Sequence, residues 1–181
     1  FLKDNDNYLA KEIKMSGGFI FRPHIKLSHT FMLAYDYISV SDTISSINKN
    51  FLIDAETHQK ANMFLYNVKY DHRDSKPYPL KGYYIDAEYS LQSINSSIYN
   101  QISANFRKYT PITNKIFVAN GLKLNYNQNN AYHYNKGLGY GRDYLRGYEY
   151  YVIEGNQHVI LKNNLKFKVL KKVEVNNVTE N

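Results

Sequence analysis

The stretch KGYYIDAEYSLQ, residues Lys81 to Gln92, alternates apolar and polar side chains. The apolar residues occupy the odd positions: Tyr83, Ile85, Ala87, Tyr89 and Leu91. The even positions include Asp86, Glu88, Ser90 and Gln92. Because successive side chains of a β-strand point to opposite faces of the sheet, this period predicts a strand with one apolar and one polar face.

The same period of two recurs along most of the 181 residues. Further candidate strands lie at 11–21, 25–37, 64–70, 98–109, 116–127 and 159–169. Most of these strands are longer than the ~5–6 residues common in soluble domains. They match the ~9–11 tilted residues that cross a bilayer. Strand length therefore favours an all-β fold, a transmembrane antiparallel up-and-down β-barrel, over a soluble sandwich, which would alternate in the same way.

Tyrosine is abundant, with 19 residues, whereas Trp is absent. Several of these tyrosines fall near the ends of candidate strands, where membrane barrels carry aromatic girdles. We expect girdle positions at Tyr35, Tyr37, Tyr70, Tyr83 and Tyr109.

Composition argues against several classes of function. The chain has no Cys, and its formal charge of +7 is spread out, with no basic run typical of nucleic-acid binding. The six His show no metal-ligand spacing, and no nucleophile motif such as G-x-S-x-G occurs. We therefore expect no catalytic residue, no metal, no cofactor and no nucleic-acid partner. No apolar run approaches the ~18 residues of a transmembrane helix.

The predicted connections differ in length in an ordered way. The second, 39–60, and the sixth, 128–156, are the long ones. In an up-and-down meander even-numbered connections share one end, so both long loops are expected on the extracellular side. Since bacterial barrels have even strand numbers from about 8 upward, seven strands do not close one. We expect residues 1–181 to form part of one larger barrel domain, with no second domain.

The sixth connection contains GLGYGRDYLRGYEYY, Gly137 to Tyr151, which has four Gly and five Tyr. An arginine on such a loop inside a polar lumen needs carboxylate or backbone acceptors, because burying it unpaired is costly. Gly147 allows a tight turn beside Arg146, and Tyr148 is expected to pack the tip against the wall. We interpret the loop as folding back into the barrel lumen.

A second stretch, YDHRDSKPYPLKGYYIDAEYS from Tyr70 to Ser90, ends one candidate strand and begins the next. It resembles the D-x-R-D…P…G segment of the BamA/TamA superfamily of outer-membrane assembly barrels. GYGRDYLRGYEYY is similar to the RGY/RGF signature on that family's sixth extracellular loop, and HVILKNNLKFKVL is similar to the strand that follows it. The resemblance covers about residues 62–170.

The resemblance implies a 16-stranded barrel preceded by periplasmic POTRA domains, of which this chain would be about strands six to twelve. It implies insertion or translocation of proteins at the bacterial outer membrane, without cofactor or ATP. The implied partners are outer-membrane lipids, client outer-membrane proteins, and periplasmic or lipoprotein accessory subunits.

The resemblance also implies roles for particular residues. The lumen-loop motif is Arg146, Gly147 and Tyr148. The turn motif is Asp71, Arg73, Asp74, Pro79 and Gly82. In the family the loop arginine contacts acidic residues of the barrel wall, but the position that matches the expected glutamate is Asn164 here. Glu88 and Asp86 face the lumen by alternation, so the candidate partners of Arg146 are Glu88, Asp86 and Asn164.

The residues leave four alternative functions open. A two-partner secretion transporter shares the loop signature but exports one dedicated partner. A patatin-like lipase can carry such a barrel at its C-terminus. An ordinary porin would share everything except the RGY loop, and a soluble β-sandwich binding module would purify without detergent.

Overall fold

The computed structural model describes residues 10–129, 131–139 and 153–168. Nine strands occur in this part of the chain: β1 Ala10–His24, β2 Leu27–Val40, β3 His58–Asp71, β4 Gly82–Ile94, β5 Ser97–Pro111, β6 Ile116–Asn127, β7 Lys136–Leu138, β8 Ile153–Gly155 and β9 Gln157–Phe167. The second connection contains helix α1, Asp42–Ile47, and a 3-10 turn, Ile53–Ala55. A second 3-10 turn, Tyr132–Tyr134, follows β6.

Seven strands form one sheet in the order β1-β2-β3-β4-β5-β6-β9, and each neighbouring pair is antiparallel. The all-β, up-and-down arrangement is therefore confirmed. Among the described residues the sheet is open, with β1 and β9 at its edges. Strands β7 and β8 pair with each other as a separate hairpin. Of the helices in these ranges, none has both the length and the apolar character to span a membrane.

The register divides the sheet into two chemically different faces. On the apolar face, paired positions run across the sheet through Phe31, Tyr66, Tyr89, Ile102 and Tyr126. The rings of Phe31 and Tyr66 have centroids 4.9 Å apart. The large hydrophobic side chains that stay exposed concentrate on this face. Such a continuous apolar area is typical of a surface that contacts lipid or another apolar partner.

The polar face carries the side chains of the alternate residues of each strand. Its members include Asp36 on β2, Asn67 on β3, Gln92 on β4, Arg107 on β5 and Lys162 on β9, of which the first three are at least nine-tenths buried. Tyr109 also lies on this face, since it pairs with Gly82 and Ala119. The expectation of a girdle position for Tyr109 is therefore wrong, because β5 presents its even residues on the apolar face.

The turns lie within a few residues of their predicted places. The first connection is only Ile25 and Lys26, because β1 continues to His24. The fourth is the pair Asn95 and Ser96, with φ of 48° and 68°. Positive φ at both central residues is the geometry of a two-residue hairpin whose twist matches its strands.

A small apolar core lies at the end of the sheet where the second connection leaves β2. Ile38, Val40 and Leu52 are buried together, and Ile44 and Phe51 pack against them. The backbone N–H of Val40 donates to the carbonyl of Thr57 over 2.7 Å, which extends the β2–β3 pairing into the connection. The second connection is thus packed against the sheet at this end, which we call the loop end. The opposite end, with connections 25–26, 72–81 and 112–115, we call the turn end.

Candidate functional site

The third connection is built around a two-oxygen ion pair. Asp71 ends β3, and the guanidinium of Arg73 donates to both of its carboxylate oxygens, over 2.8 and 2.7 Å. The Arg73 side chain is only 12% exposed and lies over the Tyr84 ring at 4.7 Å from its centroid. The hydrogen bonds that Arg73 donates to Asp71 raise the pKa of the guanidinium above its ordinary value, although burial opposes this shift. This planar geometry suits arginine and not lysine.

Asp74 organises the rest of that connection. Its Oδ1 accepts hydrogen bonds from the backbone N–H of Ser75 at 2.9 Å and of Leu80 at 3.0 Å. Partial burial opposes ionisation, but the backbone donors outweigh it and lower the pKa of Asp74. An aspartate that satisfies backbone N–H groups in this way holds a turn in one conformation.

Gly82 is required where the connection enters β4. Its φ is +104°, and a Cβ built there would lie 2.0 Å from the carbonyl oxygen of His72. The close approach accompanies a backbone hydrogen bond from His72 N–H to the Tyr83 carbonyl at 2.9 Å. Pro79, which is buried, offers its carbonyl to the Lys166 ammonium at 3.0 Å. The five residues of the turn motif thus lie together at the third connection, with Asp71 and Gly82 at the strand ends that flank it. The hydrogen bond from Lys166 links this connection to β9.

From this connection a polar network continues along the wall. Asp86 accepts from the amide of Asn67 through Oδ1 at 2.7 Å and from the Tyr84 hydroxyl through Oδ2 at 2.8 Å. The Lys69 ammonium lies 3.8 Å from Oδ2. Both oxygens of Asp86 are therefore already engaged by residues of β3 and β4.

Glu88 differs from Asp86 in this respect. It is half-buried on the same face, two residues further from the turn end, and it borders a cavity of about 350 Å³. Within ranges 10–129, 131–139 and 153–168 it has no hydrogen bond or ion pair. Asn164 pairs with Ala119 in register and lies between Lys162 and Lys166 on the polar face of β9.

At the loop end, the second and sixth connections bind each other through their backbones. The N–H of Tyr132 donates to the Asn50 carbonyl at 2.9 Å, and that of His133 donates to the Phe51 carbonyl at 3.0 Å. Gln59, which is buried, joins the two connections: its Oε1 accepts from the Ile53 N–H, and its Nε2 donates to the Tyr134 hydroxyl. Two segments about eighty residues apart therefore form one layer.

Asparagines hold the start of the sixth connection. The Asn127 side chain accepts from the Asn129 N–H at 3.0 Å, and the Asn129 side chain accepts from the Ala131 N–H at 2.9 Å. Asn156 donates to the Asn129 carbonyl at 3.3 Å and so joins the two ends of the connection. Asn129 is fully buried. These amides satisfy backbone groups that no strand partner reaches.

Burial changes the acidity of two side chains in this layer. It lowers the pKa of His133, which favours the neutral imidazole, and it raises the pKa of the Tyr134 phenol. A carboxylate oxygen of Glu12 lies 3.7 Å from Nε2 of His133. The sequence pattern does not identify Glu12 or His133 as a site residue. The period of β1 does not show which loop residue Glu12 will face.

The lumen-loop motif, Arg146, Gly147 and Tyr148, lies outside the described residues. The hairpin of β7 and β8 flanks the segment that contains it, since Leu138 pairs with Ile153. Gly137, Leu138 and Gly139 are buried. The expected contacts of Arg146 with Glu88, Asp86 or Asn164 stay predictions.

Comparison with protein families gives one match, to the Omp85 superfamily domain over residues 1–159. Among curated proteins, none matches the chain significantly. The family match covers most of the chain, including the first six strands and the turn motif.

Proposed function

The chain belongs to the Omp85 superfamily, and we propose that it forms part of the wall of a bacterial outer-membrane barrel that inserts or translocates other proteins. The superfamily serves outer-membrane protein assembly or translocation in general, with client proteins and accessory factors as partners. The family expected from the two sequence motifs is confirmed. The BamA/TamA-type assembly role within the family is the finer part of the proposal.

The observation that carries the proposal is the continuous apolar face across seven strands of 11–15 residues. At about 3.3 Å per residue, a tilted strand of this length crosses the ~25 Å apolar band of an outer-membrane barrel. Lipid would cover this face, and all backbone groups within the sheet would pair with neighbouring strands. The proposal therefore includes integral insertion in the bacterial outer membrane, with outer-membrane lipids as partners.

In the proposed mechanism this chain supplies a rigid wall and a lumenal brace. Client strands would pair by β-augmentation at a seam elsewhere in the barrel, assisted by periplasmic or lipoprotein subunits. The proposed activity is not enzymatic and uses no cofactor. Rigidity is supported at the turn end by the Asp71–Arg73 pair and at the loop end by the joined second and sixth connections.

We further propose that Glu88 is the wall partner of Arg146. Both carboxylate oxygens of Asp86 already have partners: Asn67 and Tyr84 donate hydrogen bonds to them, and the Lys69 ammonium lies nearby. Asn164 is neutral and lies on a strand face with two lysines, which repel a guanidinium. Glu88 is the acid on this wall with an adjoining cavity and no partner among the described residues.

The test of function is quantitative proteomics of the outer membrane after depletion of the full-length protein. Broad loss of many barrel proteins supports a general assembly factor, and loss of a narrow set supports a specialised one. Loss of one secreted protein with intact barrels instead indicates a two-partner secretion transporter. An unchanged outer-membrane and secreted proteome would refute the proposal.

Two other candidates are separated by simple measurements on the full-length protein. Phospholipase activity of purified protein would indicate the barrel of a patatin-like lipase. Ion conductance in planar bilayers, with an unchanged proteome on depletion, would indicate a porin.

A further inference from the structure

Three potential metal ligands from distant parts of the sequence meet at the loop end. Glu12 is on β1, Asp36 is on β2 and His133 belongs to the 3-10 turn after β6. One ligand atom from each residue lies within 4.8 Å of the other two. These three residues are called the loop-end triad below.

A second observation concerns Asp36 alone. The residue is 8% exposed, and its Oδ1 accepts no hydrogen bond from any described residue. A buried carboxylate oxygen without a donor is costly, and such groups usually have a partner in the functional state. The unsatisfied oxygen therefore indicates that this position can accept a cation or a donor.

Among the described residues, the ammonium of Lys14 contacts the triad. It lies 2.5 Å from Oε1 of Glu12 and 3.8 Å from Oδ2 of Asp36. The Lys14 side chain is 62% exposed, so its long stem can move into solvent without unpacking. Counted over the described residues, two carboxylates beside one lysine and a neutral imidazole leave a net negative charge, which favours a divalent ion.

His133 is positioned before any ion binds. Its backbone N–H donates to the Phe51 carbonyl at 3.0 Å, and its ring contacts the rings of Phe51 and Tyr134, with centroids 5.8 and 5.0 Å away. Burial favours the neutral imidazole, which is the form that binds metal.

We propose that the loop-end triad binds a divalent transition-metal ion of the Zn²⁺ class. One imidazole nitrogen with two carboxylate oxygens suits Zn²⁺ better than Mg²⁺ or Ca²⁺, which prefer oxygen ligands alone. The ion displaces the Lys14 ammonium from the two carboxylates. Strands β1 and β2 lie at one edge of the sheet, and the sixth connection begins after β6, near the other edge. The ion therefore joins the sixth connection to the opposite edge of the sheet.

The experiment is a Zn²⁺ titration of the full-length protein in detergent, followed calorimetrically, with Co²⁺ absorption as a probe of the ligand set. We expect one saturable site per chain. His133→Gln and Asp36→Asn should each weaken Zn²⁺ binding by about tenfold or more. Lys14→Met should strengthen it, because a competing cation is removed.

The matched control is His58→Gln. His58 is exposed at the start of β3, where it pairs with Ser39, and it lies outside the triad. Binding that is equal in wild type, His133→Gln and Asp36→Asn would overturn the proposal, as would no saturable Zn²⁺ binding. Equal weakening by His58→Gln would also overturn it. Lys14→Met keeps all three ligands, so it tests the proposal even where a ligand variant fails to fold.

Discussion

Replacing Gly82 with alanine should destabilise the barrel by about 2–4 kcal/mol. The new Cβ would lie 2.0 Å from the His72 carbonyl oxygen and 3.0 Å from the Arg73 Cα, so the backbone must move by more than about 1 Å. An alanine held at φ +104° adds strain of about 1–3 kcal/mol. The movement also weakens the hydrogen bond between His72 and Tyr83, which contributes about 1 kcal/mol.

The assay is urea unfolding of the full-length protein refolded in lipid vesicles, with heat-modifiability on gels as a second readout. The matched control is Gly17→Ala on β1, because a Cβ there meets nothing within 4 Å and φ is not positive. We expect Gly17→Ala to be neutral or slightly stabilising. If Gly82→Ala and Gly17→Ala unfold at the same urea concentration, the steric argument for Gly82 is refuted.

Three further predictions concern the turn end and the wall. A double-mutant cycle of Asp71→Asn and Arg73→Met, measured by urea unfolding, should give a coupling energy of about 1–2 kcal/mol, because the pair is mostly shielded from water; additive effects would contradict the ion pair. The pKa of Asp74 is lowered by folding, so its stabilising contribution is complete above its unfolded pKa of about 4 and is lost as pH falls through the lower folded pKa. Unfolding curves of wild type and Asp74→Asn should therefore differ most near neutral pH and converge in acid, and a constant difference would exclude this linkage. Arg146→Glu should lower heat-modifiability and assembly activity, and adding Glu88→Arg should restore part of both; no recovery in the double variant would rule out Glu88 as the partner.

The two ends of the sheet are stabilised by different chemistry. At the turn end a shielded ion pair, a turn aspartate and a glycine with positive φ define one connection. At the loop end, amides and backbone bonds join two connections, and the loop-end triad lies beside them. A divalent ion would thus act on the end where amide and backbone hydrogen bonds join the two long connections.

Most of the sheet could be predicted from the sequence because alternation is a local property. Tyr83 to Leu91 reveals which side of β4 is apolar without knowledge of any neighbour, and the same holds for β5, β6 and β9. The turn chemistry is local as well: Asp74 accepts a hydrogen bond from the Leu80 N–H six residues away, and the Gly82 backbone approaches that of His72 at the other end of the same connection. Connection lengths predicted the two long loops at one end of a meander, which the strand order agrees with.

The tertiary structure decided which side chains meet across strands and between loops. Asp86 and Glu88 look equivalent in sequence, but Asn67, Tyr84 and Lys69 engage only Asp86. His133 meets Glu12 and Asp36 because a connection folds back over the sheet. Period and composition carry no information about such contacts, since the contacts depend on strand register and on loop conformation. Asn67 and Asp86 are 19 residues apart, and Glu12 and His133 are more than a hundred apart.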